Sequence, residues 1–194
     1  MNEKIDELAE HIHALQLELE AEIAKQSAAL RYGLEHGRAV FEEEIIRRHR
    51  ELQTRLSYYV LHAKPLVVLT APVIYFLIVP LVLLDVCVSV YQAVCFPAYG
   101  IEKVKRREYL VFDRSHLAYL NALEKLNCAY CSYANGLIAY VREIAGRTEA
   151  YWCPIKHAKK LAGAHEQYRS FVAFGDAEAY RKRIEELEHQ PETK

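Results

Sequence analysis

Residues 66–84 read LVVLTAPVIYFLIVPLVLL, an apolar block long enough to set the architecture around it. The only polar groups in these 19 residues are the Thr70 hydroxyl and the Tyr75 phenol. A helix of that length matches the hydrocarbon core of a bilayer. Backbone amides find no water at that depth, so the segment is expected to be helical and to sit in lipid or against protein. The wider run Pro65–Ile101 holds 37 residues and one formal charge, Asp85. Prolines stand at 65, 72, 80 and 97.

Basic residues flank both ends of this run. Arg47, Arg48, Arg50, Arg55 and Lys64 precede it, and Lys103, Lys105, Arg106, Arg107 and Arg114 follow it. Orientation in a membrane follows an asymmetry of such charges, and here the two sides are alike. Three arrangements fit. A re-entrant hairpin turning near Pro80–Asp85 keeps both flanks cytoplasmic and is the favoured one. A single span followed by an interfacial helix, or two short complete spans, are the alternatives. Asp85 is a functional candidate because ionisable groups at membrane depth serve pathways or pairs. The simpler account is a helix cap at the turn, or emergence into the opposite headgroups.

The charges are segregated into a charged amino-terminal arm, an apolar middle and a mixed carboxy-terminal half. A net charge of −1 over 194 residues gives no sign of a generalised nucleic-acid binder, and no nucleic-acid partner is expected. Seven glycines and six prolines are too few for many turns, so the fold class is all-α. Met1–Glu10 is acidic and polar, unlike a cleavable signal peptide. Five cysteines in that context point to reduced thiols or metal ligands.

Three regions are expected: a helical or coiled-coil arm over 1–64, a membrane-embedded segment over 65–101, and a helical Cys/His domain over 102–190. In the arm, Ile5, Leu8, Ile12, Leu15, Leu19 and Ile23 recur at helical spacing over 2–32. GLEHG, Gly33–Gly37, marks a break before a second helix, Arg38–Lys64. That pattern points to a helical hairpin, or to association with a second copy or a protein partner through 1–64. A third helix is predicted over Arg114–Ala145, capped by Asp113 or Ser115, weakened at Gly136 and stopped at Gly146. Pro154 is expected to open a helix reaching about Ala173. Gly175 and Asp176 should punctuate a last helix, Ala177–Glu188, before a frayed tail, QPETK.

The chemistry-bearing pattern lies in the third region. Cys128 and Cys131 form C-x2-C; Cys153 and His157 form C-x3-H. Residues three apart on a helix share a face. With Cys153 at a helix N-terminus, the local partial charge would favour its thiolate. Three thiolates and an imidazole make a closed Zn site of the structural kind, or hold an iron–sulfur cluster. A thiol redox pair at Cys128 and Cys131, or ordinary buried cysteines, are the alternatives. The two pairs meet only if the chain folds back between them or the third helix ends early. At 100° per residue, Asn127, Cys131, Glu124, Arg142, Asn135 and Cys128 form one polar stripe, opposite Leu123, Tyr130, Leu137, Val141 and Ile144. Glu124, Asn127, Asn135 and Arg142 are candidates for orienting the ligands; an exposed polar face is the plainer alternative. No phosphate-cradling loop, nucleophile elbow or H-E-x-x-H occurs in the sequence, so no catalytic residue is assigned.

LNCAYCSYANGLIAYVREIA (126–145) and YWCPIKHA (151–158), preceded by APVIYFLIVPLVLLD (71–85) and VCFPAYGI (94–101), resemble a family of uncharacterised proteobacterial inner-membrane proteins. The resemblance covers roughly residues 65–180 and carries no known activity. It implies a bacterial inner membrane, with both flanks cytoplasmic in the hairpin arrangement. The expected function is a membrane-anchored, metal-binding accessory or scaffold protein with Zn at Cys128, Cys131, Cys153 and His157. The rival is a membrane-associated redox protein using an iron–sulfur cluster or the Cys128/Cys131 dithiol.

Overall fold

A computed structural model describes residues 3–29, 32–35 and 38–188. The chain is mostly helical, in line with the all-α expectation. It divides into two compact units, Met1–His62 with Asp113–Leu126, and Ala63–Phe112 with Asn127–Lys194. The apolar segment therefore shares one unit with most of the carboxy-terminal half. The tail Gln190–Lys194 and residues 36–37 of GLEHG lie outside the described residues.

In the first unit, α1 (Glu3–Ala29) lies within the helix expected over 2–32. Along its apolar stripe, Leu8, Ile12, Leu15 and Leu19 are exposed. The single helix expected over Arg38–Lys64 is replaced by several elements. β1 (Tyr32–Glu35) and β2 (Arg38–Phe41) pair antiparallel, Tyr32 opposite Phe41. Two short helices follow, α2 (Glu43–Glu51) and α3 (Leu56–Leu61). The segment 113–121 packs on them. The His49 ring meets Phe41 and Tyr119 edge-on at 5.2 and 5.1 Å, and Gln53 donates to the Leu120 carbonyl at 2.7 Å.

The second unit is built on one long apolar helix, Pro65–Ala98, 34 residues. It divides at Leu77 into α4 (Pro65–Phe76) and α5 (Ile78–Ala98). Pro80 explains the break: it has no N–H for the Phe76 carbonyl, and its ring crowds that carbonyl. Leu77 bonds back to Ile74 at 3.2 Å and the helix resumes. Pro80 thus interrupts the helix at Leu77 without reversing it. Pro80–Asp85, where a hairpin turn was expected, lies inside α5.

α5 ends in a Schellman motif. Gly100 takes φ 68°, and the Ile101 N–H reaches the Phe96 carbonyl at 2.9 Å. The chain then doubles back as an extended strap, Ile101–Phe112. From Asp85 to Tyr99 the helix covers 14 residues, about 21 Å at 1.5 Å each. From Tyr99 to Arg106 the strap covers 7 residues, about 23 Å at 3.3 Å each. The lengths match, and Arg106 arrives beside Asp85. Val104 and Leu110 of the strap enter a core with Phe96, Leu137, Tyr140 and Ile144.

The helix predicted over Arg114–Ala145 is instead α6, Ala122–Trp152. Asp113–His116 is a 3-10 turn, so neither Asp113 nor Ser115 caps α6. Asn121 does: its Oδ1 accepts from the Leu123 and Glu124 N–H groups at 3.0 Å, and Glu124 Oε2 returns to the Asn121 N–H at 2.8 Å. That reciprocal pair is a capping box. Gly146 does not stop the helix; it is buried within it. A Cβ there would stand 2.8 Å from the His165 ring. Gly136 serves close approach, and its neighbour is the strap: a Cβ would meet the Tyr109 carbonyl oxygen at 2.5 Å.

α6 runs parallel to α4 and α5 along their length. Tyr130 donates to the Ile74 carbonyl at 2.7 Å, Gln92 to the Tyr140 hydroxyl at 2.9 Å, and Tyr99 stacks on Tyr151 at 5.3 Å. Pro154 opens no helix. Residues 153–155 make a tight turn, the Ile155 N–H reaching the Cys153 carbonyl at 2.7 Å, and Ile155 is bridged in parallel to Val172. The last helix, α7 (Ala177–Glu188), has its expected bounds, with Asp176 Oδ1 accepting from the Ala179 N–H at 3.0 Å.

Replacing Gly136 by alanine should lower the melting temperature, because the strap backbone must move; overpacking of this kind costs about 1–3 kcal/mol. Thermal unfolding followed by circular dichroism reads it. An unchanged midpoint would mean that the strap is not seated on α6.

Candidate functional site

The one charge in the apolar helix is engaged from three sides. Arg106 donates to Asp85 through Nη2 to Oδ2 at 2.6 Å and Nε to Oδ1 at 3.2 Å. The Tyr133 hydroxyl donates to Oδ2 at 3.0 Å, and Ser89 Oγ to Oδ1 at 3.4 Å. The carboxylate is 13% exposed and the guanidinium 47%, so the pair is dry on one side and wet on the other. Such bidentate geometry is the strong form of a charge-assisted bond. The neighbouring carboxylate holds the Arg106 guanidinium above its usual range. Burial, then the bond to Asp85, pushes the Tyr133 phenol above its usual 10.0.

Two turns on from Asp85, Gln92 is buried and fully bonded. Its Oε1 accepts from the Val104 N–H at 2.6 Å, while Nε2 donates to the Val104 carbonyl at 3.3 Å and to the Tyr140 hydroxyl. A side-chain amide here holds the strap as a neighbouring strand would. Thr70 donates to the Leu66 carbonyl at 3.0 Å within its own helix turn, and the Tyr75 hydroxyl donates to Asn127. Among the described residues, every buried side-chain nitrogen and oxygen has a partner.

The four residues of the expected metal centre are not brought together. Cys128 and Cys131 lie in the first turns of α6, and Cys153 follows its last residue. From Cys131 to Cys153 is 22 residues, about 33 Å at 1.5 Å each along one helix. Shared coordination requires sulfurs within about 4 Å of each other, given Zn–S bonds near 2.3 Å. Among the described residues, no group of three or more His, Cys, Asp or Glu side chains is poised to hold a metal. Cys153 sits beyond a helix C-terminus, its N–H bonded to the Glu149 carbonyl at 2.8 Å, so the helix-N-terminus argument for its thiolate does not apply. His157 is exposed and stacks on Tyr168 at 6.1 Å.

The proposed orienting residues are equally dispersed. Glu124 caps α6, Asn127 serves Tyr75, Asn135 donates to the Cys131 carbonyl at 2.9 Å, and Arg142 donates to the Ala164 carbonyl. Glu124 and Arg142 stand 18 residues apart on α6, about 27 Å. Cys131, Asn135, Ile138 and Arg142 are exposed at four- and three-residue steps, which is the plainer, solvent-facing stripe. The opposite arc is the core, with Leu137 and Ile144 buried as its pattern predicted.

Sequence reasoning missed Arg106, Gln92 and Tyr133. A lone carboxylate and a lone amide in an apolar helix each demand a partner, and that demand was the available signal. It also missed His165, whose side chain is 10% exposed. Its Nε2 faces Glu149 Oε2 at 2.8 Å and Nδ1 faces Gln167 Oε1 at 3.1 Å. Gln167 and Arg147 both donate to Glu143 Oε1 at 2.8 Å, tying the 165–167 loop to α6. No spacing rule in the sequence announces that network.

Compared with known protein families, characterised proteins and solved structures, the chain matches none.

Arg106→Met should destabilise more than Asp85→Asn. The first strands a shielded carboxylate with only hydroxyl partners, a loss on the order of 1–3 kcal/mol. The second frees a guanidinium that water already reaches. Chemical denaturation of both variants reads the order, and equal midpoints would refute it. Because Tyr133 keeps its proton above pH 10.0 while an unfolded phenol ionises, stability should fall as pH rises past that value. Tyr133→Phe should reduce the slope of the alkaline denaturation curve there; an unaltered slope would remove Tyr133 from the account.

Proposed function

We propose that this protein is a membrane-attached, non-enzymatic adaptor or scaffold, working on the cytoplasmic face of a bacterial inner membrane. The observation that carries the reading is the long helix Pro65–Ala98, whose apolar side chains are largely exposed while its single charge is turned inward and paired with Arg106. Exposed apolar surface of that extent marks a membrane or protein contact, and the absence of charge over 20 consecutive residues before Asp85 favours lipid. The exposed Leu8, Ile12, Leu15 and Leu19 of α1 support a second role, contact with another copy or a partner helix through the arm.

A zinc or iron–sulfur centre built from Cys128, Cys131, Cys153 and His157 of one chain would require α6 to break between its ends. The C-x2-C pair alone, on one helix with Cys131 exposed, supports the rival reading as a dithiol that exchanges electrons at the membrane. For the scaffold, purified protein floats with vesicles of phosphatidylethanolamine and phosphatidylglycerol, Phe76→Glu with Leu83→Glu abolishes flotation, and Leu15→Glu with Leu19→Glu lowers the oligomeric mass in sedimentation. Failure to float would sink the membrane assignment. One equivalent of zinc by elemental analysis, lost in both Cys128→Ser and Cys153→Ser, would restore the four-ligand centre.

A further inference from the structure

The long apolar helix is covered along one stripe only. Ala71, Tyr75, Ile78, Leu81, Asp85, Val88 and Gln92 are among its less exposed positions, recurring every three to four residues and continuing to Phe96 and Tyr99. That stripe carries the strap and α6. Leu69, Val73, Phe76, Leu83, Val90 and Val94 are between 58% and 75% exposed. At 100° per residue they fall within about 100° of one another, opposite the stripe. This arc holds no charge from one end of the helix to the other.

Charges line α5 on its other side, whereas residues 127–141 of α6, which run from beside Ile74 to beside Gln92, hold none. α6 follows the helix in parallel from Ile74 to Tyr99, and it carries Arg142, Glu143, Arg147 and Glu149. The strap carries Lys103, Lys105, Arg106 and Arg107 back along α5 toward Asp85. Were α5 to stand across a bilayer, these charges would be drawn into the hydrocarbon beside it, where lysine and arginine are strongly disfavoured. The length agrees with that objection: 34 residues extend about 51 Å, well beyond a core of about 30 Å.

From this we infer that the helix Pro65–Ala98 lies in the plane of the membrane. Its exposed arc is sunk among the upper acyl chains, and the strap and α6 cover its aqueous side. The occupant of the uncovered face is a phospholipid leaflet. Interfacial helices bury an apolar face to about 5–10 Å in this way while polar groups stay at the headgroups. Pro80 fits the role, since the interruption at Leu77 costs a surface-lying helix no exposed backbone in hydrocarbon. The two basic flanks then share one side of the bilayer without a hairpin. This inference rests on the membrane reading above and adds the geometry of attachment.

Depth-resolved quenching on the full chain tests it. Trp152→Phe removes the only tryptophan, and tryptophan is then placed singly at Leu69, Phe76, Leu83 or Val90. Each variant is bound to sealed vesicles of phosphatidylethanolamine and phosphatidylglycerol containing lipids brominated near the headgroup or near the chain end. In-plane seating predicts that all four positions are quenched two-fold or more by the shallow label over the deep one. It also predicts that external trypsin cuts both flanks, around Arg47–Arg55 and at Lys103–Arg107. Preference for the deep label at Phe76 and Leu83 alone, with one flank protected, would establish a crossing helix and overturn the inference while leaving membrane attachment standing. No quenching at any position, with apolar faces paired in a dimer by sedimentation, would overturn both.

Discussion

Two polar side chains in an otherwise apolar helix organise the second unit. Asp85 and Gln92 sit two turns apart on one stripe of α5, and neither can be left unpaired away from water. The strap Ile101–Phe112 supplies both partners: Arg106 for the carboxylate and the Val104 amide group for the glutamine. To do so the chain must double back as soon as α5 ends, which the Gly100 turn permits. Once the strap is bound, its own apolar residues, Val104 and Leu110, complete a core with Phe96 on one side and Leu137, Tyr140 and Ile144 on the other. With the strap returning along α5, α6 runs parallel to that helix, held through Gln92 to Tyr140 and Tyr99 to Tyr151.

Elements written in local signals were legible in the sequence. The apolar helix needed only hydropathy, α7 needed only Gly175 and Asp176, and the buried arc of α6 needed only the 3.6-residue period. The extent of α6 was not legible. Gly136 and Gly146 carry the local signature of a weak point and a stop. Their actual reason is tertiary: the Tyr109 carbonyl and the His165 ring occupy the space a side chain would fill. Packing against those neighbours outweighs the intrinsic cost of glycine in a helix, roughly 1 kcal/mol each. Pro80 misled in the opposite sense, since one missing N–H interrupts a long helix but does not reverse it.

The cysteine pattern shows why spacing in sequence is a weak guide to coordination. C-x2-C is local and the helix does put both thiols within a turn of each other. Joining it to C-x3-H required a reversal in the intervening residues. The helical period of residues 137–144 speaks against one, and α6 continues through it to Trp152. His157 then falls in a segment pinned by Val172, with its N–H donating to the Tyr168 hydroxyl at 2.6 Å. The residues that looked like a ligand set are three separate features: a helical thiol pair, an exposed thiol at a helix end and a stacked surface imidazole.

The treatment of Asp85 separates an anchor from a conduit. A carboxylate that relays protons needs a vacancy on its oxygens and a partner that can take up or release a proton near neutrality. Both oxygens of Asp85 already accept from two donors each: Arg106 and Ser89 at Oδ1, Arg106 and Tyr133 at Oδ2. Arginine stays charged throughout the physiological range, and the Tyr133 phenol is displaced upward, away from it. The cluster therefore neutralises the charge, aims it at protein, and ties helix, strap and α6 at one level. Its effect on the far side of the helix is indirect and larger in area. With the only formal charge withdrawn and compensated, the opposite face is left as an unbroken apolar surface some 50 Å long, at 1.5 Å per residue.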